Sequence, residues 1–372
     1  MFGFIGVGQC GGSIADESVK RGFHAAAINY SSSDLNSLEN IEEKLQLVGS
    51  EGVGKDRTAA SEYMKNNWEA SIEFIKNTME KPSIQVIFVV FSAAGGTGSG
   101  ISPILIELLN EYLPHKTIVA VPVLPDDGEV VLNQLNAIET LQELSKLEVC
   151  VLPLDNQKVA QKLNKTVSEG RLYKETNTEF LDLLEDLINY TERISKVSTL
   201  DKKDLHQLFS TPGIMTISSA DLNDYVEGGK YFNKLHEDIQ KSWQQTIFSV
   251  DDFENVLRAG IILDVEDTLA EHISYKRLFD KVYGMPLDLF KGLYNEEGSR
   301  VISILAGLGW INSRMKRIDD LIEKGNKEMP RKEVYQPKSR SRKDLLMNSR
   351  AIEAETPVKK KSYIDALKKL KR

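Results

Sequence analysis

The stretch Ser83-Ile-Gln-Val-Ile-Phe-Val-Val-Phe91 runs into Ser92-Ala-Ala94-Gly95-Gly96-Thr97-Gly98-Ser99-Gly100, and then into the helical pattern Ile101–Tyr112. The first part is rich in β-branched and aromatic residues and reads as a buried strand. In the second part four glycines let the backbone come close to an oxyanion, and Thr97 and Ser99 add hydroxyl donors. Glycines alternating with hydroxyls at a strand-to-helix junction are not the composition of a mere flexible linker. The arrangement predicts an anion held by backbone amides at a helix N-terminus.

The same rhythm extends in both directions. Upstream, Phe2–Val7 reads as a strand, Gly6-Val-Gly8-Gln9-Cys10-Gly11 as a turn, Ile14–Arg21 as a helix and Ala25–Asn29 as a second strand, ending in the cap-like Ser31-Ser32-Ser33-Asp34. Gly49–Gly54 reads as a loop opening onto a helical stretch, Arg57–Met79. Downstream come a strand Lys116–Val123 stopped by Pro122 and Pro125, a helix Asn133–Ser145 and a strand Glu148–Leu154. Strands alternating with helices predict an α/β fold with a parallel sheet covered on both faces, ligands binding at the loops that follow the strands. A long helix, Thr176–Val197, carries Phe180, Leu184, Leu187, Ile188 and Ile194 along one face. Beyond it, strands at Ile214–Ile217, Ala259–Val265 and Val301–Leu305 with helical segments between them predict a second, smaller α/β domain, and Trp310–Lys324 a last helix.

Composition narrows the function. The chain has 372 residues, 41% hydrophobic and 27% charged, as expected of a globular protein with two domains. No apolar run approaches the ~20 residues of a membrane span, and the apolar start, broken by Gly3, Gly6 and Gly8, lacks the basic flank of a signal peptide. Two cysteines, Cys10 and Cys150, provide neither a disulfide framework nor a four-ligand zinc set, which points to the cytoplasm. The net charge of −8 hides an asymmetry: residues 331–372 hold 14 Lys+Arg against 5 Asp+Glu, leaving an acidic body of 33 basic and 50 acidic groups. That pattern suggests a basic tail, either a solvated segment or a tether.

Two other glycine loops invite motif readings. Gly6–Gly11 satisfies the dinucleotide pattern GxGxxG, but the following strand ends Ile28-Asn29-Tyr30 without the acid that would hold a ribose, so a nicotinamide or flavin enzyme is the weaker reading. Gly49–Asp56 nearly matches a P-loop, yet Asp56 stands where a Ser or Thr would meet magnesium.

Together, Gly8-Gln9-Cys10-Gly11-Gly12 and Gly95–Gly100, the latter preceded by Ala94 where a further glycine is usual, resemble the phosphate loops of the tubulin/FtsZ superfamily. The resemblance spans residues 1 to about 325. It implies GTP with Mg²⁺, the phosphates cradled by Gly8–Gly12 and Ala94–Gly100. Asn29 falls where the family's second nucleotide loop begins, Asn156 where a residue bonds guanine, and Tyr173 and Asn177, four apart, where an aromatic stacks on the base and an Asn reads its edge. The loop Gly52-Val-Gly54-Lys55-Asp-Arg57 implies a γ-phosphate sensor. Thr199-Leu-Asp201-Lys-Lys-Asp204 is similar to the family's catalytic loop, with Thr199 in place of its Asn. Taken alone, Asp201 and Asp204 read equally as a helix cap. In the family such acids reach the nucleotide of the next subunit, so that a head-to-tail filament completes each active site.

The resemblance also implies an organisation. Residues 1–172 would form a Rossmann-like nucleotide-binding GTPase domain, 173–200 a central helix, 201–309 a C-terminal activation domain, 310–330 a C-terminal helix and 331–372 a basic flexible tail. Ser31 replaces an Asp of FtsZ, so no metal ligand is assigned. The charged third loop and basic tail are more similar to the TubZ branch of plasmids and phages than to cell-division FtsZ. That branch implies DNA segregation, with self-assembly and a TubR-like DNA-binding adaptor on centromeric DNA as partners, the adaptor held through the tail. Direct DNA contact by the tail and a filament with another cargo are the alternatives, and stable membrane insertion is not expected.

Overall fold

A computed structural model describes residues 1–328 apart from 164–167, 196, 227, 229–230, 280–283 and 295–297. The basic segment 331–372, and with it the expectation of a tail that binds an adaptor, lies outside the described residues.

Eleven described strands form one mixed, mostly parallel sheet. They are β1 (Phe2–Val7), β2 (His24–Asn29), β3 (Glu43–Gln46), β4 (Val86–Ser92), β5 (Thr117–Leu124), β6 (Cys150–Val151), β7 (Leu154–Asp155), β8 (Gly213–Asp221), β9 (Arg258–Asp264), β10 (Asp288–Tyr294) and β11 (Arg300–Leu308). The order is β10-β9-β11-β8-β6-β5-β4-β1-β2-β3, with β7 paired to β5. From β3 through β8 every pairing is parallel, and β8 joins through Cys150↔Gly213 and Val151↔Ile214. β11 runs antiparallel to both β8 and β9.

The centre of the sheet is buried on both faces. Val86, Phe88 and Val90 of β4 pack into one layer, and Ile87, Val89 and Phe91 into the other. This explains why the run is continuously apolar rather than alternating. Phe88 meets Phe2 at 5.1 Å, Phe209 at 5.3 Å and Phe180 at 6.4 Å, each edge to face. Through Phe180, Leu184 and Leu187 the central helix Glu169–Glu192 lies against that layer.

Several expected boundaries move, each for a physical reason. The helices expected at Ile14 and Ile101 begin at Gly8 and Thr97, inside the glycine runs. A Cβ on Gly11 would sit 2.0 Å from the Val90 carbonyl oxygen and one on Gly100 2.4 Å from that of Arg57, so packing rather than flexibility demands glycine there. Pro122 lies within β5 instead of ending it. Leu152 N–H bonds the Ala120 carbonyl, so the even-numbered residues of β5 face β6 and β7. The missing Pro122 donor therefore falls in the gap between those two short strands. The central helix starts seven residues earlier than expected, capped by Ser168, and ends at Glu192, which leaves Ile194 beyond it and 90% exposed. Strands β3 and β10, both at sheet edges, were not anticipated.

Candidate functional site

The C-terminal ends of β1, β2, β4 and β5 open onto a cleft of about 590 Å³. Its floor is made by two helix N-termini, those of Gly8–Val19 and Thr97–Tyr112. Neither has a side-chain cap. The orphan N–H groups of a first turn are thus left for another acceptor, and the helix dipoles favour that it be an anion. Gly8 adopts φ 72°, and a Cβ there would lie 3.2 Å from the Gly98 nitrogen, so the two loops abut. A Cβ on Gly96 would lie 2.7 Å from the Lys55 Cα, which sets the third loop against the second.

The cleft brings together Gly8, Gln9, Cys10, Asn29, Gly54, Lys55, Ala94, Gly95, Gly96, Thr97, Gly98, Asn156, Tyr173 and Asn177. Four other candidates stand behind the wall. Gly11 and Gly100 permit the close approaches already described, Gly12 faces Leu38, and the Ser99 hydroxyl is turned onto the Gly95 and Gly96 carbonyls. The Cys10 thiol is pushed up to about 12, by burial first and by Glu129 second, and so stays protonated. Lys55, at φ 68°, is held in the left-handed region beside the floor.

Arg57, read from the sequence as part of a phosphate sensor, turns away from the cleft. Pro103 sits within the helix Thr97–Tyr112 and cannot donate to the Ser99 carbonyl one turn back. The Arg57 guanidinium donates to that carbonyl at 3.3 Å, and the Thr140 hydroxyl approaches it at 3.5 Å. The same guanidinium pairs with Glu139 at 2.9 Å and Glu143 at 2.6 Å. Arg57 therefore repairs the helix that carries the glycine loop.

At the other end of the cleft the surfaces suit a planar heterocycle. The Thr176 hydroxyl lies 3.1 Å from Asn156 Oδ1 and 3.0 Å from the Leu172 carbonyl oxygen, which ties the Asn156 amide to the central helix. Tyr173 and Asn177 project from one face of the central helix, and burial raises the Tyr173 hydroxyl to about 12, with Glu129 adding to it. Ser13, Ser31, Asp34, Glu51, Ser92, Glu129 and Asn133 also line the cleft. Of these the sequence points to Ser31 and Asp34, as a helix cap, and to Ser92 at the head of the glycine loop; Ser13, Glu51, Glu129 and Asn133 fall in no motif. Asp34 accepts from Asn29 at 3.0 Å, and Glu51 from Ser32 at 2.8 Å.

Asp201 and Asp204 do not line the cleft. Asp201 caps the helix Lys202–Phe209, and the two side chains form a reciprocal capping box. Burial raises the Asp204 carboxyl, and the neighbouring Asp201 charge adds to the rise.

An open α/β sheet whose strand ends meet two uncapped helix N-termini presents a cleft suited to an anion. The chain matches the model of the Tubulin/FtsZ family, GTPase domain, over residues 3–164. It is 27% identical to a tubulin-like protein CetZ of Pyrococcus abyssi over 338 residues, covering 86% of this chain and 87% of the relative. A tubulin-like protein TubZ of Clostridium botulinum C phage is 26% identical over 343 residues, 89% and 85% of the two chains. Among solved structures, a GTPγS-form protofilament of Bacillus thuringiensis serovar israelensis TubZ superposes with a TM-score of 0.70, 19% identity, and coverage of 88% and 91%.

Proposed function

We propose that this protein binds and hydrolyses GTP and polymerises head to tail, each interface completing one active site. The observation that carries this reading is the meeting of two uncapped helix N-termini in one cleft whose far end offers Asn156, Tyr173 and Asn177. Amides at the two helix starts that line the cleft, Gly8–Cys10 and Gly95–Gly98, would hold the phosphates, each dipole contributing ~0.3–1 kcal/mol where exposed and more where dry. Lys55 would meet the terminal phosphate. Tyr173 would stack on the base, and the Asn156 amide would donate to guanine O6, where adenine presents an amine instead. Mg²⁺ supplies charge neutralisation when bound. The cleft-wall carboxylates Asp34 and Glu51 would be the residues that hold it.

Asp201 and Asp204, away from the cleft, would act on the nucleotide of the adjoining subunit, orienting and deprotonating the attacking water, a task worth ~10²–10⁴-fold. A heterologous contact that does not close gives a filament, and loss of the γ-phosphate weakens it. The GTPγS-form protofilament of the TubZ relative supports self-assembly of this kind. The phage source of one TubZ relative favours a role in segregating DNA inside the cytoplasm, with residues 331–372 as the handle for a TubR-like adaptor. The equal similarity to CetZ favours a second reading, a filament with another cargo.

The test is the GTPase rate per subunit as protein concentration rises. A rate that climbs as polymer forms, and falls in an Asp201→Asn chain, supports the shared site. A rate independent of concentration overturns it. Co-sedimentation of the polymer with a DNA-binding adaptor and its DNA separates the two cargo readings.

A further inference from the structure

The last described helix, Asn312–Glu328, sends one cation into the wall behind the base end of the cleft. Arg314 is 7% exposed and makes four hydrogen bonds there. Its Nε and one terminal nitrogen grip Asp155 as a fork, at 2.9 and 3.2 Å. That same terminal nitrogen donates to the Pro125 carbonyl at 2.6 Å, and the other reaches Asp127 at 3.4 Å. Arg317, one turn on, takes the outer side of Asp127.

Each of these acceptors holds part of the cleft. Asp155 is 2% exposed and caps the helix Asn156–Lys162, accepting Gln157 N–H at 3.0 Å, so it sets where Asn156 stands. The Gln157 side chain in turn accepts the Asp127 amide at 2.9 Å. Pro125 follows Leu124, and Asp127 precedes Glu129, both of which line the cleft. A guanidinium spanning these points fixes the Asn156 turn and the 125–129 loop relative to one another. None of its contacts touches the glycine loops at the phosphate end.

We infer that Arg314 is a positioning residue for base recognition, acting through Asp155 on Asn156 while leaving phosphate binding alone. The inference rests on the nucleotide reading of the cleft. A buried ion pair broken on one side only is costly and would confuse misfolding with function. The informative variant therefore pairs Arg314→Gln with Asp155→Asn, which leaves no uncompensated charge. Arg314→Lys is the second variant, since it keeps the charge and loses the fork.

The experiment titrates the full chain and both variants with GTP, ATP and inorganic tripolyphosphate, and follows thermal unfolding in parallel. The expected result is a GTP affinity about tenfold weaker in the paired variant, the order of one hydrogen bond, with a smaller loss in Arg314→Lys. Tripolyphosphate affinity should stay within about twofold and GTP-over-ATP preference should fall with the GTP affinity. Parallel losses of GTP and tripolyphosphate binding, or no loss of either, would overturn the positioning role and leave the nucleotide reading standing. An unaltered chain that holds GTP no better than tripolyphosphate would overturn both, because no base recognition would exist for Arg314 to serve.

Discussion

Asp201 and Asp204 hold each other in place: Asp201 Oδ1 accepts the Asp204 amide at 2.9 Å, and Asp204 Oδ2 accepts the Asp201 amide at 3.1 Å. The pair thus has a structural task whatever chemistry it performs, and substitutions separate the two. Asp201→Ala removes the cap and should cost about 1 kcal/mol. Asp201→Asn keeps an N-cap oxygen, so its thermal stability should stay near that of the parent, while the polymer-stimulated GTPase proposed above should fall by ~10²–10⁴-fold. Calorimetry and turnover on the same samples check both. An Asn variant with full turnover would leave these residues as caps only.

Lys55 combines backbone strain with a charge beside the glycine loops. At φ 68° a residue with a Cβ is disfavoured by ~1–2 kcal/mol, part of which glycine recovers. Lys55→Gly should therefore melt higher, by about 0.5–1 kcal/mol of stability, and bind tripolyphosphate more weakly. Opposite signs in unfolding and titration are the expected signature. Loss of both would mean that the side chain holds the loop rather than the ligand.

Two glycines in helices should answer in opposite directions to the same change. Gly170 lies in the first turn of the central helix with nothing within 4 Å of an added Cβ, so Gly170→Ala should stabilise by up to about 1 kcal/mol. On Gly11 the Cβ would fall 2.0 Å from the Val90 carbonyl oxygen, and Gly11→Ala should cost about 1–3 kcal/mol or more as helix and strand part. Denaturant unfolding of the two variants decides it.

The contrast between these glycines also shows what the sequence made legible. The α/β alternation and the strand-end cleft could be read because β4 is apolar throughout and its glycine turn follows at once. Glycine itself was ambiguous. The same residue marks a loop by propensity and a crowded helix start by packing, and only the neighbouring Val90 and Arg57 carbonyls distinguish them. Edge strands escaped for a related reason: Glu43–Gln46 and Asp288–Tyr294 bury little and carry weak patterns. Among the cleft residues, the glycines, Tyr173 and Asn177 have spacing, whereas Glu51, Ser92 and the Glu129–Asn133 pair come from three distant segments that meet only when the chain folds. Arg57 misled because its charge adjoins a glycine loop in sequence, while its partners Glu139 and Glu143 lie more than 80 residues away.

Glu129 gives the pH dependence a sign. Burial is the largest influence on its carboxyl and raises it. The bond from Asn133 Nδ2 lowers it, and the Asp126 charge adds to the rise. In the unfolded chain the group titrates near its ordinary value of about 4.3. Between that value and the raised one the folded protein binds more protons than the unfolded chain, so stability falls as pH rises through this window. The contribution is complete below the ordinary value and is lost once pH passes the raised one. Asp16 works in the opposite sense, its carboxyl lowered by hydrogen bonds from Asn40 and Ile41 that outweigh burial, so the whole-protein curve mixes the two. The comparison that isolates Glu129 is the difference in melting temperature between the parent and Glu129→Gln. That difference should grow in favour of the variant as pH rises from 4 toward neutrality and then level off. The same change removes a negative charge from the wall of the cleft, so tripolyphosphate should bind the variant more tightly at neutral pH. Melting curves that run parallel across the window would mean that Glu129 stays fully hydrated, and the cleft wall would then be more open than its packing against Asn133 implies.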